Sequence, residues 1–259
     1  MHLPDDAPSR FDRFYHAMYE TRWDSLRESL LLKSEPISFS EGLLCPYYLD
    51  EASWVAASQL PLAEGDSVLD MCAAPGGKSL VLATRLGMTG SLTSNDRSSQ
   101  RRIRLRKVLD EHLAGPLRAR VTVTSHDAAK WGLHEQQRYD AILLDAPCSS
   151  ERHVIQDPKA LAQWSPARTR HLAIQQFAML ASALEAVRIG GHVLYSTCSI
   201  SVHENDAVIA KLEKKRMGRY EIIPLELSLG EVTDHGVMTL PDATNGKGPL
   251  YMSLIRRIA

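Results

Sequence analysis

The sequence has no apolar run approaching the ~18 residues of a membrane-spanning helix, so no span is expected. It has no CxxC and no Cys/His cluster at zinc spacing. Its four cysteines, Cys45, Cys72, Cys148 and Cys198, lie far apart. No metal site is expected. Nor is a disulfide framework, which belongs to small secreted domains. A reducing compartment is expected. The opening Met1-His2-Leu3-Pro4-Asp5-Asp6 is acidic and has no apolar leader pattern. No signal or transit peptide is therefore expected. The cytoplasm is favoured as the location, with the mitochondrial matrix as the alternative. There is no internal repeat and no low-complexity linker. Charge of one sign is also missing, with 30 Lys+Arg against 31 Asp+Glu and a net charge of -1. A dedicated nucleic-acid binder is often strongly basic. Taken alone, the balance points away from nucleic acid.

The sequence does have enough apolar residues, 44% of 259, to build a core. At ~150 residues per domain, this is one large domain or one domain with a small appendage. Residues 9–32 carry Phe11, Tyr15, Met18, Trp23, Leu26 and Leu30 at roughly helical spacing, and Ser34-Glu35-Pro36 breaks the pattern. From about residue 50, helices alternate with short apolar runs. Helices are predicted over 51–60, 78–86 and 97–113, the last with Ile103, Val108, Leu109 and His112 on one face. A long amphipathic helix through Ala173, Phe177, Leu180, Leu184 and Val187 is predicted to close at Gly190-Gly191. Ser201-Val202-His203-Glu204 reads as a capping box opening the next helix. Strands are predicted over 67–70, 91–95, 120–124, 141–144, 192–196 and 250–258. Such alternation argues a parallel, doubly wound α/β sheet. Its ligands bind beyond the carboxyl ends of the strands, near the switch in strand order.

Asp70-Met71-Cys72-Ala73-Ala74-Pro75-Gly76-Gly77-Lys78 follows the first of these strands and opens a helix. Gly76 and Gly77 let the backbone approach a ligand closely. A phosphate-binding loop needs a glycine six residues before its lysine. Cys72 stands there, so nucleotide hydrolysis is excluded. The GxGxxG dinucleotide fingerprint is also absent. Asp70, Asp96, Asp127 and Asp145 end consecutive strands. One such acid can simply cap a helix. A row of them beside a glycine turn suits a nucleoside with an amino-acid tail, such as S-adenosylmethionine, whose ribose, amino group and ammonium are donors.

Asp145-Ala146-Pro147-Cys148-Ser149 and Ser196-Thr197-Cys198-Ser199 follow two further strands. Adjacent strands would bring Cys148 and Cys198 to the same edge as the ligand turn. The bland reading is two buried thiols. Together with Cys72-Ala73-Ala74-Pro75-Gly76-Gly77-Lys78, these segments closely resemble the Nol/Nop/Sun family of RNA (cytosine-5) methyltransferases. Phe11-Asp12…Trp23-Asp24-Ser25-Leu26-Arg27, Arg152-His153 and Gly248-Pro249-Leu250-Tyr251 are similar to its mitochondrial ribosomal-RNA-methylating branch.

The resemblance implies a class I, Rossmann-like methyltransferase domain over 46–259, with a mostly parallel seven-stranded sheet. A short helical segment over 1–45 precedes it. It implies S-adenosylmethionine as cofactor and RNA as partner, ribosomal RNA favoured over tRNA. A helper protein or ribosomal particle stays open, and so does a non-catalytic assembly factor. Among site residues, Cys198 would be the nucleophile and Cys148 would assist release. Asp145 would hold the cytosine N3 side, with Lys78 on the same edge. Cys72, Ala73, Ala74, Pro75, Gly76, Gly77, Lys78 and Asp145 would line the cofactor site. Asp96 would meet ribose with Arg101 nearby, and Asp127 and Ala128 would meet adenine.

Other features carry two readings each. Arg97, Arg101, Arg102, Arg104, Arg106 and Lys107 form either a phosphate-contacting stripe, extended by Arg118 and Arg120, or a solvated helix face. Arg168, Arg170 and His171 add a basic stretch. Trp131 and Trp164 could stack on bases, though core packing is favoured. Arg152 and His153 are placed in a loop near Cys148. Cys45 and Cys72 are expected to be packing residues.

Overall fold

The computed structural model describes residues 7–227 and 230–259, so the acidic opening of the chain lies outside the described residues. The sheet is built from the chain's β-branched and leucine-rich runs. β3 (Ser67–Asp70), β4 (Ser91–Asn95), β5 (Val121–Thr124), β6 (Tyr139–Asp145) and β7 (Val187–Thr197) are parallel, in the order β5-β4-β3-β6-β7. β11 (Leu250–Arg257) then pairs antiparallel with β7. β8 (Tyr220–Ile223) and β10 (Val237–Thr239) both pair with β11, and β9 (Glu231–Val232) pairs with β10. The sheet therefore has nine strands, not the seven expected. The additions are short edge strands whose two or three residues carry no readable period.

Side chains alternate across the sheet, as a pleat requires. Leu69, Ile142, Leu144, Val193 and Tyr195 enter one core; Val68, Ala141, Leu143 and Leu194 enter the other. Both faces are covered, which is why 141–144 reads as an unbroken apolar run. One face is covered by α9 (Pro166–Ala186) and α10 (Asp206–Arg216). The other is covered by α3 (Glu51–Gln59), α4 (Gly77–Thr84) and α5 (Ser99–His112). Among the described residues, no helix is long and apolar enough to cross a membrane.

The N-terminal segment is α1 (Ala7–Tyr19), a short 3-10 turn and α2 (Trp23–Leu31). Phe11, Tyr15 and Trp23 are buried with Trp164, and these rings join the core of the α9 face. Asp12 accepts from Trp23 Nε1 at 3.3 Å and Arg27 Nε at 2.8 Å, which locks the two helices together. Trp131 is also buried, so both tryptophans are core residues. A small hairpin of β1 (Ile37–Phe39) and β2 (Tyr47–Leu49) follows, which the sequence pattern did not reveal.

Several local expectations fail for identifiable reasons. α5 buries Leu105, Val108 and Leu109, while Ile103 is exposed, because the arginines around it turn that face to solvent. α9 ends at Ala186, and Gly190-Gly191 lie inside β7. The proposed capping box does not cap: α10 starts at Asp206, and Glu204 is buried against the Cys148 turn. Arg152 and His153 lie in α7 (Glu151–Gln156), not in a loop. Cys45 is exposed, with its Sγ 3.2 Å from His112 Nδ1, rather than packed.

Candidate active site

β3 and β6 are neighbours, yet the chain leaves β3 toward β4 and returns to β6 from the far edge. Their carboxyl ends are the switch point, where an open α/β sheet leaves a crevice. Asp70 ends β3, Asp145 ends β6, and Ser196 is the register partner of Asp145 on β7.

Beyond β3 the chain makes its glycine turn. Gly76 has φ +123°, which an L side chain rarely adopts, and this lets α4 start directly at Gly77. A Cβ on Gly77 would stand 2.9 Å from Tyr47 Cε1, so the hairpin can close over the turn only because no side chain is there. A cavity of about 250 Å³ results, lined by Cys72, Ala73, Ala74, Pro75, Gly77, Lys78, Asp145, Tyr47 and Tyr48 among others. Gly76 lies behind this lining and supplies the bend. A second cavity of about 590 Å³ is lined by Cys72, Asn95, Asp96, Arg101, Asp127 and Ala128. Cys72 borders both.

Two buried acceptors point to a donor-rich ligand here. Asp70 is fully buried, and its Oδ2 accepts from Ser79 Oγ at 2.7 Å. Its Oδ1 has no partner. Burial, with the charge of Asp145 adding to it, pushes Asp70 up to about 7. Asp96 Oδ1 accepts from Ser98 N at 2.8 Å, while buried Oδ2 has no hydrogen-bond donor and only the Arg101 guanidinium 3.4 Å away. Unpaired buried acceptors are costly, so a ligand bringing hydroxyls and an ammonium fits them. Asp127 caps the 3-10 turn, accepting from Ala129 N at 3.1 Å, and also lines the larger cavity. Asn95 was missed by sequence reasoning. Its amide ties Met71 O, His126 O, His126 N and Thr124 Oγ1, holding the strand ends around the cavity. Cys72 is half-buried, and burial raises its thiol pKa, so it stays protonated beside the acids.

The third cavity, about 410 Å³, is lined by Lys78, Asp145, Cys198, Ser53, Arg152 and His153 among others. Lys78 Nζ is 2.8 Å from Asp145 Oδ2 and donates to Ser53 Oγ at 2.9 Å. Burial pulls the Lys78 ammonium down, but the charge and hydrogen bond of Asp145 outweigh it, and its pKa is raised. Ser196 Oγ donates to Asp145 Oδ1 at 3.0 Å. The carboxylate is thus fixed from both sides.

Cys198 lines this cavity, and Cys148 lies behind it with its Sγ 3.1 Å from Cys198 Sγ. Ser150 Oγ lies 3.4 Å from Cys198 Sγ and 3.5 Å from Cys148 Sγ. Cys198 is exposed and Cys148 is partly buried behind it. A hydrogen bond from Cys148 lowers the Cys198 pKa against the effect of burial. The same contact, together with burial, raises Cys148 well above an ordinary thiol. The contact therefore favours ionisation of the exposed sulfur over the buried one. Ser53 and Ser150 carry no sequence signal of their own; only the fold brings them here.

Around the site, Arg152 donates to Leu32 O at 2.8 Å and Gly246 O at 2.7 Å, tying α2 and the 241–248 loop to α7. Arg97, Arg101, Arg104, Arg106 and Lys107 are exposed on or just before α5, and Arg102 is turned back to Asp96 O and Arg97 O. Arg118 pairs with Asp110 at 2.6 Å, and Arg120 donates to Gly87 O. Both are half-buried, so they brace the fold and do not extend an open stripe. Arg168, Arg170 and His171 are exposed on α9.

A parallel sheet with an antiparallel β11, and a ligand crevice at its switch point, defines the Rossmann-like methyltransferase fold. The structure superposes on a methyltransferase homolog protein from Pyrococcus horikoshii with a TM-score of 0.77 at 19% identity, covering 99% of this chain and 100% of that one. It also superposes on NSun6 from Pyrococcus horikoshii, with a TM-score of 0.69 at 24% identity, covering 85% and 55%. Residues 57–256 match the family model described as 16S rRNA methyltransferase RsmB/F, and the chain belongs to that family. It is 41% identical over 174 residues to the 5-cytosine rRNA methyltransferase NSUN4 of Bos taurus, covering 66% of this chain and 45% of the relative. It is 35% identical to a mitochondrial tRNA (cytosine(34)-C(5))-methyltransferase of Danio rerio, covering 85% and 63%. It is 36% identical to ribosomal RNA small subunit methyltransferase F of Escherichia coli O1:K1 / APEC, covering 73% and 39%. The chain spans about half the length of the first of these relatives.

Proposed function

We propose that the chain transfers a methyl group from S-adenosylmethionine to C5 of a cytosine in RNA, through a covalent bond between Cys198 and the base. The observation that carries this is the exposed Cys198 sulfur, its pKa lowered by the neighbouring thiol, sharing one cavity with the Lys78–Asp145 pair. C5 of cytosine is a poor nucleophile. Attack of the Cys198 thiolate forms an S–C6 bond and makes C5 enamine-like. Asp145, fixed by Lys78 and Ser196, faces the N3 side, where a proton between its carboxyl and N3 would offset the charge that develops in the ring. When bound, the cofactor supplies an electrophilic methyl group. Asp70 would hold its ammonium and Asp96 its ribose, each with a buried oxygen lacking a hydrogen-bond donor. The C5 proton then leaves, the S–C6 bond breaks, and the electron pair returns to sulfur. Cys148, 3.1 Å from Cys198, assists this release directly or through a base. The target base must be unstacked to reach the cavity.

The relatives' names divide between ribosomal RNA and tRNA, and a tRNA enzyme is the one aligned over 85% of this chain. The tRNA reading therefore stands beside the ribosomal one. A relative named as mitochondrial favours the mitochondrial matrix over the cytoplasm. With a net charge of -1, naked RNA should bind modestly and salt-sensitively. A ribosomal particle or helper protein would then present the target. The test is transfer of labelled methyl from the cofactor to fractionated ribosomal RNA and tRNA, with the product nucleoside identified. The reading predicts 5-methylcytosine in one fraction. RNA binding without any transfer would instead support a non-catalytic assembly factor.

A further inference from the structure

Beneath the two cysteines lies a pair of carboxylates that the proposed chemistry does not use. Glu151, the first residue of α7, and Glu204, just before α10, are both fully buried. Ser149, next to Cys148, is within hydrogen-bond reach of both, its Oγ meeting Glu151 Oε1 and Glu204 Oε1. Ser199, next to Cys198, reaches the same centre. Its Oγ lies 3.0 Å from Glu151 Oε1 and 3.1 Å from Ser149 Oγ. Glu151 Oε2 accepts from Ile200 N at 3.1 Å, and Tyr15 donates to Glu151 Oε1. Glu204 Oε2 accepts from Ser149 N at 3.0 Å and Gln176 Nε2 at 2.8 Å. Each cysteine turn is thus fastened to the pair by the residue that follows the cysteine.

The hydrogens can be counted. Ser149 Oγ has one hydrogen, yet it contacts two carboxylate oxygens. With both acids ionised, one contact would be two buried oxygens facing each other without a hydrogen. A proton on Glu204 Oε1 resolves this. It donates to Ser149 Oγ, and Ser149 and Ser199 both donate to Glu151. Every serine–carboxylate contact that fastens the two turns then has its hydrogen. We propose that Glu151 and Glu204 share one proton, and that this protonated pair is a positioning unit holding the Cys148 turn against the Cys198 turn.

The electrostatics agree. Burial, with the charge of Glu151 adding to it, pushes Glu204 up to about 7. The titratable groups facing the pair are Tyr15 and Tyr19 from α1, Tyr195 from β7, Cys148 and Cys198. His203 lies beside Glu204 at the surface, and Asp206 opens α10. Burial keeps the three tyrosines protonated in this range. As pH rises through about 7, Glu204 loses its proton, the serine bridge loses a hydrogen and the two turns repel.

The role in turnover rests on the cysteine chemistry proposed above, but the shared proton does not, so the two are tested separately. Infrared titration of the unmodified protein should show two carboxylic-acid C=O components that disappear around pH 7, the first absent in Asp70→Asn and the second, from Glu204, absent in Glu204→Gln. Ser149→Ala should move the second. Once Cys198 is ionised, single-turnover methyl transfer should fall about tenfold per pH unit as Glu204 loses its proton. Glu204→Gln places a neutral amide donor on Ser149, and its rate should stay level over the same range. The absence of the Glu204 component, with the Asp70 one still present, overturns the shared proton, whatever the cysteines do. A Glu204 component that is present, with the same alkaline fall in Glu204→Gln, overturns the positioning role.

Discussion

Cys148 and Cys198 stand with their sulfurs 3.1 Å apart, and of the two only Cys198 is exposed to the cavity. The hydrogen bond between them divides the pair into a low-pKa thiol at the surface and a high-pKa thiol behind it. Thiol alkylation followed by peptide mass spectrometry should therefore label Cys198 well before Cys148 and Cys72 near neutral pH. In Cys148→Ala the Cys198 reaction should shift to higher pH, because its hydrogen-bond donor is gone. Equal labelling of Cys148 and Cys198 would contradict the division.

Asp70 gives a stability prediction with a defined sign. Its folded-state pKa, about 7, lies above the ordinary carboxylate value. Folding therefore favours the protonated form. That contribution is full below about pH 4 and is lost as pH rises toward 7. Asp70→Asn should flatten this fall and leave the ligand-free protein more stable at alkaline pH. The same variant should bind S-adenosylmethionine more weakly, since the negative charge facing the ammonium is gone. Thermal unfolding and calorimetric titration read the two effects, and a variant that binds as well as the parent would contradict the cofactor assignment.

The ion pair of Lys78 and Asp145 is mostly buried, its side chains 15% and 29% exposed, and Ser196 still holds the carboxylate when the lysine is removed. Lys78→Met should leave the unfolding midpoint within a few degrees of the parent. Methyl transfer should drop by about 10²-fold or more, as for loss of a group aimed at developing charge. A large unfolding shift with normal transfer would reverse that ranking.

Trp23 is the packing residue that joins the N-terminal helices to the domain. Its ring is 2% exposed and contacts Phe11 and Tyr15. Trp23→Ala should cost about 3–5 kcal/mol of stability, as for other buried tryptophans. Denaturant unfolding monitored by far-UV circular dichroism checks it. A loss under about 1 kcal/mol would mean that the helices pack only loosely.

The parallel core was legible because buried strands leave apolar runs at 67–70 and 141–144, and each is followed by an acid at the strand end. The lining of the three cavities was legible for the same reason: Cys72 to Pro75, Gly77, Lys78, Asp96, Asp127, Asp145 and Cys198 all sit just past strands. What the sequence concealed depends on contacts distant along the chain. Glu204 matches a helix cap by spacing, yet in the fold its carboxylate turns toward Ser149, 55 residues earlier. Arg120 belongs by composition to a basic run, but its guanidinium is used by the Gly87 carbonyl. Ser53 and Asn95 reach the site only through tertiary packing. The charge balance of 30 against 31 is also resolved spatially. Acids gather at the strand ends, and exposed arginines gather on α5.

The central claim is that Cys198 bonds to the base and Cys148 frees it. The most direct measurement is a denaturing gel of each cysteine variant incubated with substrate RNA and S-adenosylmethionine, with the cross-linked peptide sequenced. Cys148→Ala should accumulate a denaturant-resistant protein–RNA adduct at Cys198, and Cys198→Ala should form none and transfer no methyl. An adduct in Cys198→Ala alone, or normal turnover by that variant, would contradict the account.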